Sequence, residues 1–239
     1  MKQIIPFLIF ILVLNSCSSE IKPASFETIS VTETYDAAIT ATYSKAEGKD
    51  KLSKTINSNV DNALVETLST AESKNDLKTI LKEFNKEYLD FKKDFSEESE
   101  PVWELDIETE LVYQSEAIIT IAISTYEFKG GAHGNDQIKF LNLDAKTGHV
   151  LNLDDFIENN DEFKALAKSH FTKTVQLKDS AVNMEDVFFG KPFQLPENIG
   201  YSDDGLVLLY NVYEVASYDQ DYIEFVIPFE ELGSYLKME

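Results

Sequence analysis

The spacing of apolar residues predicts two amphipathic helices in the first half of the chain. The first covers residues 52–68, and its apolar positions recur every four residues, at Leu52, Ile56, Val60, Leu64 and Leu68. This spacing gives a single apolar stripe that can pack against a sheet. The second runs from about Asn75 to Phe95, and either Ser73 or Asn75 can cap its first turn. A strand from Ile29 toward Tyr43 precedes both helices.

Alternation of apolar and polar residues predicts strands in the middle of the chain. Between Trp103 and Tyr113, apolar residues alternate with Glu104, Asp106, Glu108 and Glu110. This period is typical of a half-buried antiparallel strand, here with an acidic outer face. Further strands are predicted over residues 117–128, 138–143 and 149–153. The segment 144–148 is predicted to be a hairpin loop with Gly148 at a positive φ.

The last third of the chain is predicted to contain one long helix, several strands and a short closing helix. The long helix covers residues 161–175, the strands cover 206–210, 213–218 and 222–227, and the closing helix covers 229–236. Strands that cluster apart from helices indicate an α+β protein. We therefore expect mainly antiparallel sheets with helices packed on one face.

Residues 1–16 have the charged, apolar and small-residue regions of a secretory signal. The apolar run from Ile4 to Leu14 has eleven residues, whereas a membrane-spanning helix needs about 20. Leu14-Asn15-Ser16-Cys17 resembles the lipobox of bacterial lipoproteins. That resemblance implies lipid on the Cys17 thiol and cleavage after Ser16. An ordinary signal peptide with an incidental cysteine is the alternative.

Cysteine content agrees with a lipid anchor. Cys17 is the single cysteine of the sequence, so it has no partner for an internal disulfide, and a zinc–thiolate site is excluded. Acyl chains such as palmitate contribute about 0.8 kcal/mol per buried methylene, enough for a permanent membrane anchor. We expect residues 17–27 to form a lipidated tether. Ser18 is not the Asp that favours inner-membrane retention in some Gram-negative bacteria, so we favour the outer membrane.

The charge of the chain restricts its partners. The precursor has a formal charge of −22, and loss of Lys2 with the signal leaves 20 basic against 43 acidic residues, or −23. Such a field repels nucleic acid and attracts cationic partners at low salt. Acidity that serves only solubility is the alternative. The full sequence is 43% apolar with 16 Phe and 11 Tyr, which is ample for a packed core.

Several segments carry a family resemblance. Gly-Gly-Ala-His-Gly-Asn at residues 130–135 follows the strand predicted to end at Phe128. Further segments are Leu143–Gly148, Leu153–Phe156, Phe193–Pro196, Tyr201–Leu206, Tyr210–Glu214 and Ile227–Phe229. Together they resemble the extracytoplasmic domain shared by RsiV-type anti-sigma factors and PdaC-type peptidoglycan deacetylases. The resemblance divides the chain into a PdaC-like α+β part, 28–134, and an RsiV-like α+β part, 135–239.

The resemblance implies a place outside the cytoplasm more clearly than an activity. In RsiV-type proteins the domain is an external sensor that binds lysozyme, and in PdaC-type enzymes it accompanies a deacetylase acting on cell-wall glycan. This sequence shows no anti-sigma segment or deacetylase domain. Its three histidines, His133, His149 and His170, form no paired-histidine metal motif. We therefore expect neither a metal nor another cofactor.

Two groups of residues are candidates for ligand binding. His133 and Asn135 lie in the glycine-rich segment, where positive φ allows a ligand close to the backbone. The alternative is an unusual turn with His133 bonded to the backbone. The second group mixes tyrosines with acids, a combination that suits sugar rings or basic proteins. It contains Tyr201, Asp203, Asp204, Tyr210, Tyr213, Glu214, Tyr218 and Tyr222. Ordinary strand tyrosines are the alternative here.

Catalytic motifs are absent from the sequence. It has no Gly-x-Ser-x-Gly motif and no Asp-x-Asp-x-Asp-Gly calcium loop. We expect a cell-envelope lipoprotein that is not an enzyme and binds a lysozyme-type cationic protein or cell-wall glycan. A peptidoglycan hydrolase with paired carboxylates about 5 to 10 Å apart is the first alternative. A purely structural lipoprotein with an exposed apolar patch is the second.

Overall fold

In the part of the chain that the structure describes, the strands form a five-stranded sheet and a three-stranded sheet. This computed structural model describes residues 23–68, 76–95, 101–158, 160–178, 187–212, 214–215 and 222–238. The larger sheet contains β1 (Phe26–Ser30), β2 (Ala38–Ala46), β3 (Glu104–Gln114), β4 (Ile118–Phe128) and β5 (Asn135–Asp144), in that order. The smaller sheet contains β6 (Asn198–Ser202), β7 (Gly205–Tyr210) and β8 (Ile223–Pro228).

The helices complete an α+β fold, which confirms the predicted fold class. They are α1 (Lys51–Leu68), α2 (Leu77–Asp94), α3 (Leu153–Phe156), α4 (Asp161–Lys178) and α5 (Phe229–Leu232), with a 3₁₀ turn at Gly233–Tyr235. Neighbouring strands are antiparallel except β2 and β3, which are parallel. This exception has a physical cause: α1 and α2 lie between the two strands in sequence and supply the long crossover that parallel strands need.

Several predicted elements differ in detail. The strand expected from Ile29 toward Tyr43 is two strands, and β1 begins at Phe26, inside the predicted tether. Residues 149–153 form only one bridge, between Leu143 and Val150. The carboxylate of Asp155 then accepts the backbone N–H of Asn152 at 2.7 Å and starts α3 instead. Strand β6 was not predicted, because its central Gly200 and preceding Pro196 weaken a strand pattern.

The helix termini also refine the prediction. The N-cap of α2 is Asp76, whose carboxylate accepts the Thr79 N–H at 2.8 Å. The predicted caps Ser73 and Asn75 lie outside the described residues. The closing helix ends at Leu232, since Gly233 has a φ of 42°. The predicted hairpin glycine, Gly148, has a φ of 74°, as expected.

Helices α1 and α2 cover one face of the larger sheet. Ile56, Val60 and Leu64 of α1 are at most 1% exposed. They pack in one core with Leu105 and Ile107 of β3 and with inward residues of β4 and β5. Burying each such side chain contributes about 1.5–3 kcal/mol. The four-residue spacing seen in the sequence is therefore the spacing that anchors α1 to the sheet.

Helix α4 covers the smaller sheet in a second core. Phe163, Ala167 and Phe171 of α4 are fully buried against alternate residues of β6, β7 and β8. The other face of β6 lies on β4 and β5, because a Cβ added to Gly200 would lie 2.8 Å from Phe140 Cγ and 2.9 Å from Thr120 Cγ2. The two sheets are thus packed against each other, with helices outside. None of the helices within the described ranges is both long and apolar enough to cross a membrane.

Candidate functional site

The glycine-rich segment forms the turn between β4 and β5. Gly130 and Gly131 have φ values of 86° and 104°, which only glycine adopts readily. A Cβ added to Gly134 would lie 2.3 Å from the ring of Tyr126, so this ring packs directly on the backbone. His133 is exposed, with Nδ1 3.1 Å from the Gly134 carbonyl oxygen, and the exposed Asn135 begins β5. The ligand contacts predicted for His133 and Asn135 stay predictions.

Two of the candidate tyrosines are core residues. Tyr201 and Tyr210 are 0% and 1% exposed. The Tyr201 hydroxyl donates to the Met238 carbonyl at 2.9 Å, and the Tyr210 hydroxyl donates to the Gln194 carbonyl at 2.5 Å. Burial raises the pKa of Tyr210 well above its usual range. Neither ring presents a surface to a ligand, so the prediction that these two tyrosines bind one is corrected. Periodicity could not reveal this, since residues on both faces of β6 and of β7 are buried.

The remaining candidates are spread over the molecule. Asp203 and Asp204 are exposed in the turn between β6 and β7, and Tyr222 is half-buried before β8. Tyr213 and Tyr218 lie outside the described residues. The two groups lie at opposite ends of β4. Tyr201, close to the β6–β7 turn, donates its N–H to Thr120 Oγ1 near the start of β4. His133 follows the end of β4. Eleven residues of β4 span about 35 Å, so the predicted residues form no single site.

Glu214 organises a junction between the two sheets. Its Oε1 accepts the N–H of Glu197 and its Oε2 accepts the N–H of Asn211, both at 2.9 Å. Burial raises the pKa of the Glu214 carboxyl, although the two N–H donors oppose the shift. The Asn211 side chain then accepts the N–H of Ile138 and donates to its carbonyl, each at 2.9 Å. Glu214 therefore positions the amide that caps the outer edge of β5.

A buried polar chain forms a second link between the sheets. Thr120 Oγ1 donates to Asn142 Oδ1, and Asn142 Nδ2 donates to the Ile199 carbonyl, both at 2.8 Å. Thr120 Oγ1 in turn accepts the Tyr201 N–H at 3.3 Å. Thr120 and Asn142 are 0% and 6% exposed, so these bonds satisfy groups that water does not reach. The chain fixes how β6 crosses β4 and β5.

A cleft of about 400 Å³ opens along the outer edge of β5. We name it the edge cleft. Its lining comes from α1, from β5, from the segment 150–153 and from the segment that leads into β6, and includes Asn59, Asn62, Glu66, Lys139, Phe140, Val150, Leu151, Pro196 and Glu197. Lys139 Nζ lies 2.9 Å from Glu66 Oε2. No sequence pattern predicts the edge cleft, because its residues come from four separated segments.

The other notable surface is the outward face of β3. Glu104, Asp106, Glu108 and Glu110 are all exposed there, while the residues between them are buried beneath α1 and α2. We name these four residues the acidic face. Among the described residues, no Lys lies within ion-pair distance of any of them. Tyr126 pairs in register with Asp106 on one side and Asp136 on the other, which adds an aromatic ring to the same region.

The described residues contain no candidate metal-binding site. No three His, Cys, Asp or Glu side chains of those residues come together as ligands for an ion. Two surfaces of the described residues that could hold a ligand are the edge cleft and the acidic face, which lie at β5 and β3 of the same sheet.

Two solved structures share this fold. A member of the DUF3298 family from Bacteroides fragilis has a TM-score of 0.66 and 20% identity, over 90% of this chain and 95% of that chain. A DUF3298 family protein from Pseudomonas aeruginosa has a TM-score of 0.62 and 21% identity, over 91% of this chain and 96% of that chain. No curated protein sequence matches the chain.

Two family models match consecutive parts of the chain. Residues 30–136 match the model described as deacetylase PdaC, and residues 151–230 match a protein family of unknown function, DUF3298. The division predicted between residues 134 and 135 stays a prediction, and β5, which starts there, pairs with β4 of the first part. The chain is therefore similar to PdaC in its first part and to the DUF3298 family in its second, which confirms its resemblance to the domain shared by RsiV-type anti-sigma factors and PdaC-type deacetylases.

Proposed function

We propose that this protein is a lipoprotein of the cell envelope whose folded part is a non-catalytic binding module for a cationic, lysozyme-type protein. The observation that carries the proposal is the acidic face. Four exposed carboxylates follow one strand without a lysine partner among the described residues, in a chain with a formal charge of −22. Complementary charge of this kind accelerates association with a basic protein and selects against acidic ones.

The position of the acidic face supports docking of a large partner. Its carboxylates lie on a sheet whose opposite face is held rigid by α1 and α2, so binding requires no reordering of the backbone. The half-buried Tyr126, whose hydroxyl end packs on Gly134, adds part of an aromatic ring beside them. A folded protein with basic side chains can therefore contact charge and ring together. Cell-wall glycan, the other ligand class suggested by the resemblance, lacks the positive charge that these carboxylates favour.

The test compares two variants of equal charge. In the first, Glu104, Glu108 and Glu110 are each changed to Gln. In the matched control, Glu162, Glu224 and Glu230, which are exposed on α4, β8 and α5, are changed to Gln instead. Exposed ion pairs contribute about 0.2–1 kcal/mol each, so the first variant should lose about three- to 160-fold in affinity for lysozyme, measured by calorimetry. Equal losses in both variants would show that only the net charge matters.

The membrane anchor needs its own experiment. Cys17 lies outside the described residues, and the proposal rests on the lipobox resemblance. Cells fed a labelled fatty acid should transfer the label to the wild-type protein and not to Cys17→Ser. Fractionation of the envelope then locates the anchored protein, for which we propose the outer membrane. Label on Cys17→Ser, or none on the wild type, would remove the lipoprotein assignment.

A further inference from the structure

Other groups of the chain bond the outer edge of β5 at both ends of a short stretch. Asn211 bonds both backbone groups of Ile138. Four residues further on, the Asn142 carbonyl accepts the Leu151 N–H at 2.8 Å, and the Asp144 N–H donates to the His149 carbonyl at 2.9 Å. Side chain and backbone thus replace a neighbouring strand at these positions. Such coverage is a common way to protect an edge from uncontrolled pairing.

Phe140 lies between these two covered positions. Alternate residues of a strand direct their N–H and C=O groups to the same side. Because Ile138 and Asn142 direct theirs to the outer edge, Phe140 does so as well. Within the described residues, no backbone or side-chain group bonds the Phe140 N–H or C=O at this edge. These two groups face the edge cleft, which Phe140 helps to line.

We propose that the edge cleft binds an extended segment of another polypeptide, one residue of which pairs with Phe140 as an added antiparallel strand. A peptide residue supplies an N–H and a C=O on the same side, which is the complement that Phe140 presents. Ile138 and Asn142 are four residues apart, about 13 Å along the strand. The cleft therefore accepts about three residues. Beyond them, Asn211 on one side and Leu151 on the other already bond the edge and stop the pairing.

The lining specifies the side chain of the paired residue. Residues directly opposite each other on two strands place their side chains on the same face, and the Phe140 side chain lies on the face next to Gly200 and β6. Pro196 and Glu197 line the cleft on that face. A lysine or arginine fits best, because its charge can meet the exposed Glu197 carboxylate while its aliphatic stem lies along the cleft.

The flanking residues of the bound segment face the other wall. Their side chains point toward α1, where Asn59 and Asn62 line the cleft and Glu66 is paired with Lys139. Short polar side chains suit this wall, since they can bond the exposed Asn62 amide and the Oδ1 of Asn59, whose Nδ2 donates to the Gly148 carbonyl at 2.7 Å. The preferred segment is thus a basic residue between two short polar residues. This site is separate from the acidic face and does not depend on the function proposed above.

The experiment uses the mature chain labelled with ¹⁵N and the peptide acetyl-Asn-Lys-Asn-methylamide. Titration should shift the Phe140 amide resonance, with a dissociation constant on the order of 1 mM. A peptide methylated on the lysine backbone nitrogen loses one strand hydrogen bond and should bind about tenfold more weakly. Replacing the lysine of the peptide with norleucine should weaken binding to the wild type about threefold. The same replacement should not weaken binding to the Glu197→Gln variant.

Two controls make the outcome decisive. Glu162→Gln, an exposed change on α4, should bind all three peptides as the wild type does. In the free protein, the Phe140 amide should exchange with solvent faster than those of its neighbours Lys139 and Leu141, which face β4. Equal binding of the methylated peptide would overturn the proposal. Strong protection of Phe140 in the free protein would overturn it too, because the chain would then cover its own edge.

Discussion

Replacement of Asn211 tests the junction between the two sheets. The Asn211 side chain makes two hydrogen bonds of 2.9 Å to the backbone of Ile138, and its own N–H is held by Glu214. Asn211→Ala removes both side-chain bonds. It leaves the Ile138 N–H and C=O at a partly buried edge, where water compensates only in part.

The expected loss follows from these two bonds. A neutral hydrogen bond contributes about 0.5–1.5 kcal/mol, so Asn211→Ala should lower the free energy of unfolding by about 1–3 kcal/mol. For a protein of this size, that loss corresponds to a decrease in Tm of about 2–12 °C. Asn211→Asp should lose a similar amount at pH 7, because its carboxylate can accept the Ile138 N–H but cannot donate to the Ile138 carbonyl.

The pH dependence separates this account from a general packing defect. Below about pH 4 the side chain in Asn211→Asp becomes protonated and can donate again, so its deficit relative to wild type should shrink, while that of Asn211→Ala should not. Urea unfolding followed by circular dichroism measures both deficits. Asn62→Ala, an exposed change on α1, is the control and should stay near wild type. Wild-type stability of Asn211→Ala would show that the two bonds to Ile138 do not hold this junction.

Three further changes test other parts of the structure. Gly200→Ala places a Cβ 2.8 Å from Phe140 and 2.9 Å from Thr120, and overpacking should lower the free energy of unfolding by about 1–3 kcal/mol in urea titrations; an unchanged midpoint would contradict the packing of β6 on β4 and β5. Burial raises the pKa of Glu214 above 4.5, so its contribution to stability is fully present below pH 4.5 and is lost as the pH rises through its folded pKa. The free energy of unfolding of Glu214→Gln should therefore fall less between pH 4.5 and 7 than that of the wild type. An identical fall in both proteins would exclude a contribution from the raised pKa of Glu214. Tyr201→Phe should lower the free energy of unfolding by about 1 kcal/mol through one lost hydrogen bond and leave lysozyme binding unchanged in calorimetry. Weakened binding would indicate that Tyr201 contributes to a ligand site.

Local patterns in the sequence predict most of the fold. The four-residue spacing from Leu52 to Leu68 and the alternation from Trp103 to Tyr113 produce α1 and β3 almost as expected, because each side chain meets the same core in turn. The parallel pairing of β2 with β3 and the presence of β6 are not local properties. They depend on where two helices cross the sheet and on the close approach of Gly200 to Phe140.

The candidate site is less accessible to sequence reasoning. Tyr201 and Tyr210 look like surface tyrosines in a strand with acidic neighbours, yet both are buried with their hydroxyls on backbone carbonyls. Burial in β7 depends on elements distant in sequence, such as α4, whose Phe171 ring contacts that of Tyr210. The edge cleft depends on a backbone group of Phe140, which no residue type can signal. The acidic face, by contrast, follows directly from alternation in β3.

Binding of lysozyme by the chain from Ser18 onward tests the central claim most directly. Calorimetry at low salt and at about 0.15 M salt distinguishes a specific interface from a screened charge field, since the Debye length at the higher salt is about 8 Å. We expect micromolar or tighter affinity that weakens with salt but survives at about 0.15 M, together with a loss of affinity in the acidic-face variant. No binding at either salt concentration by the folded protein would contradict it.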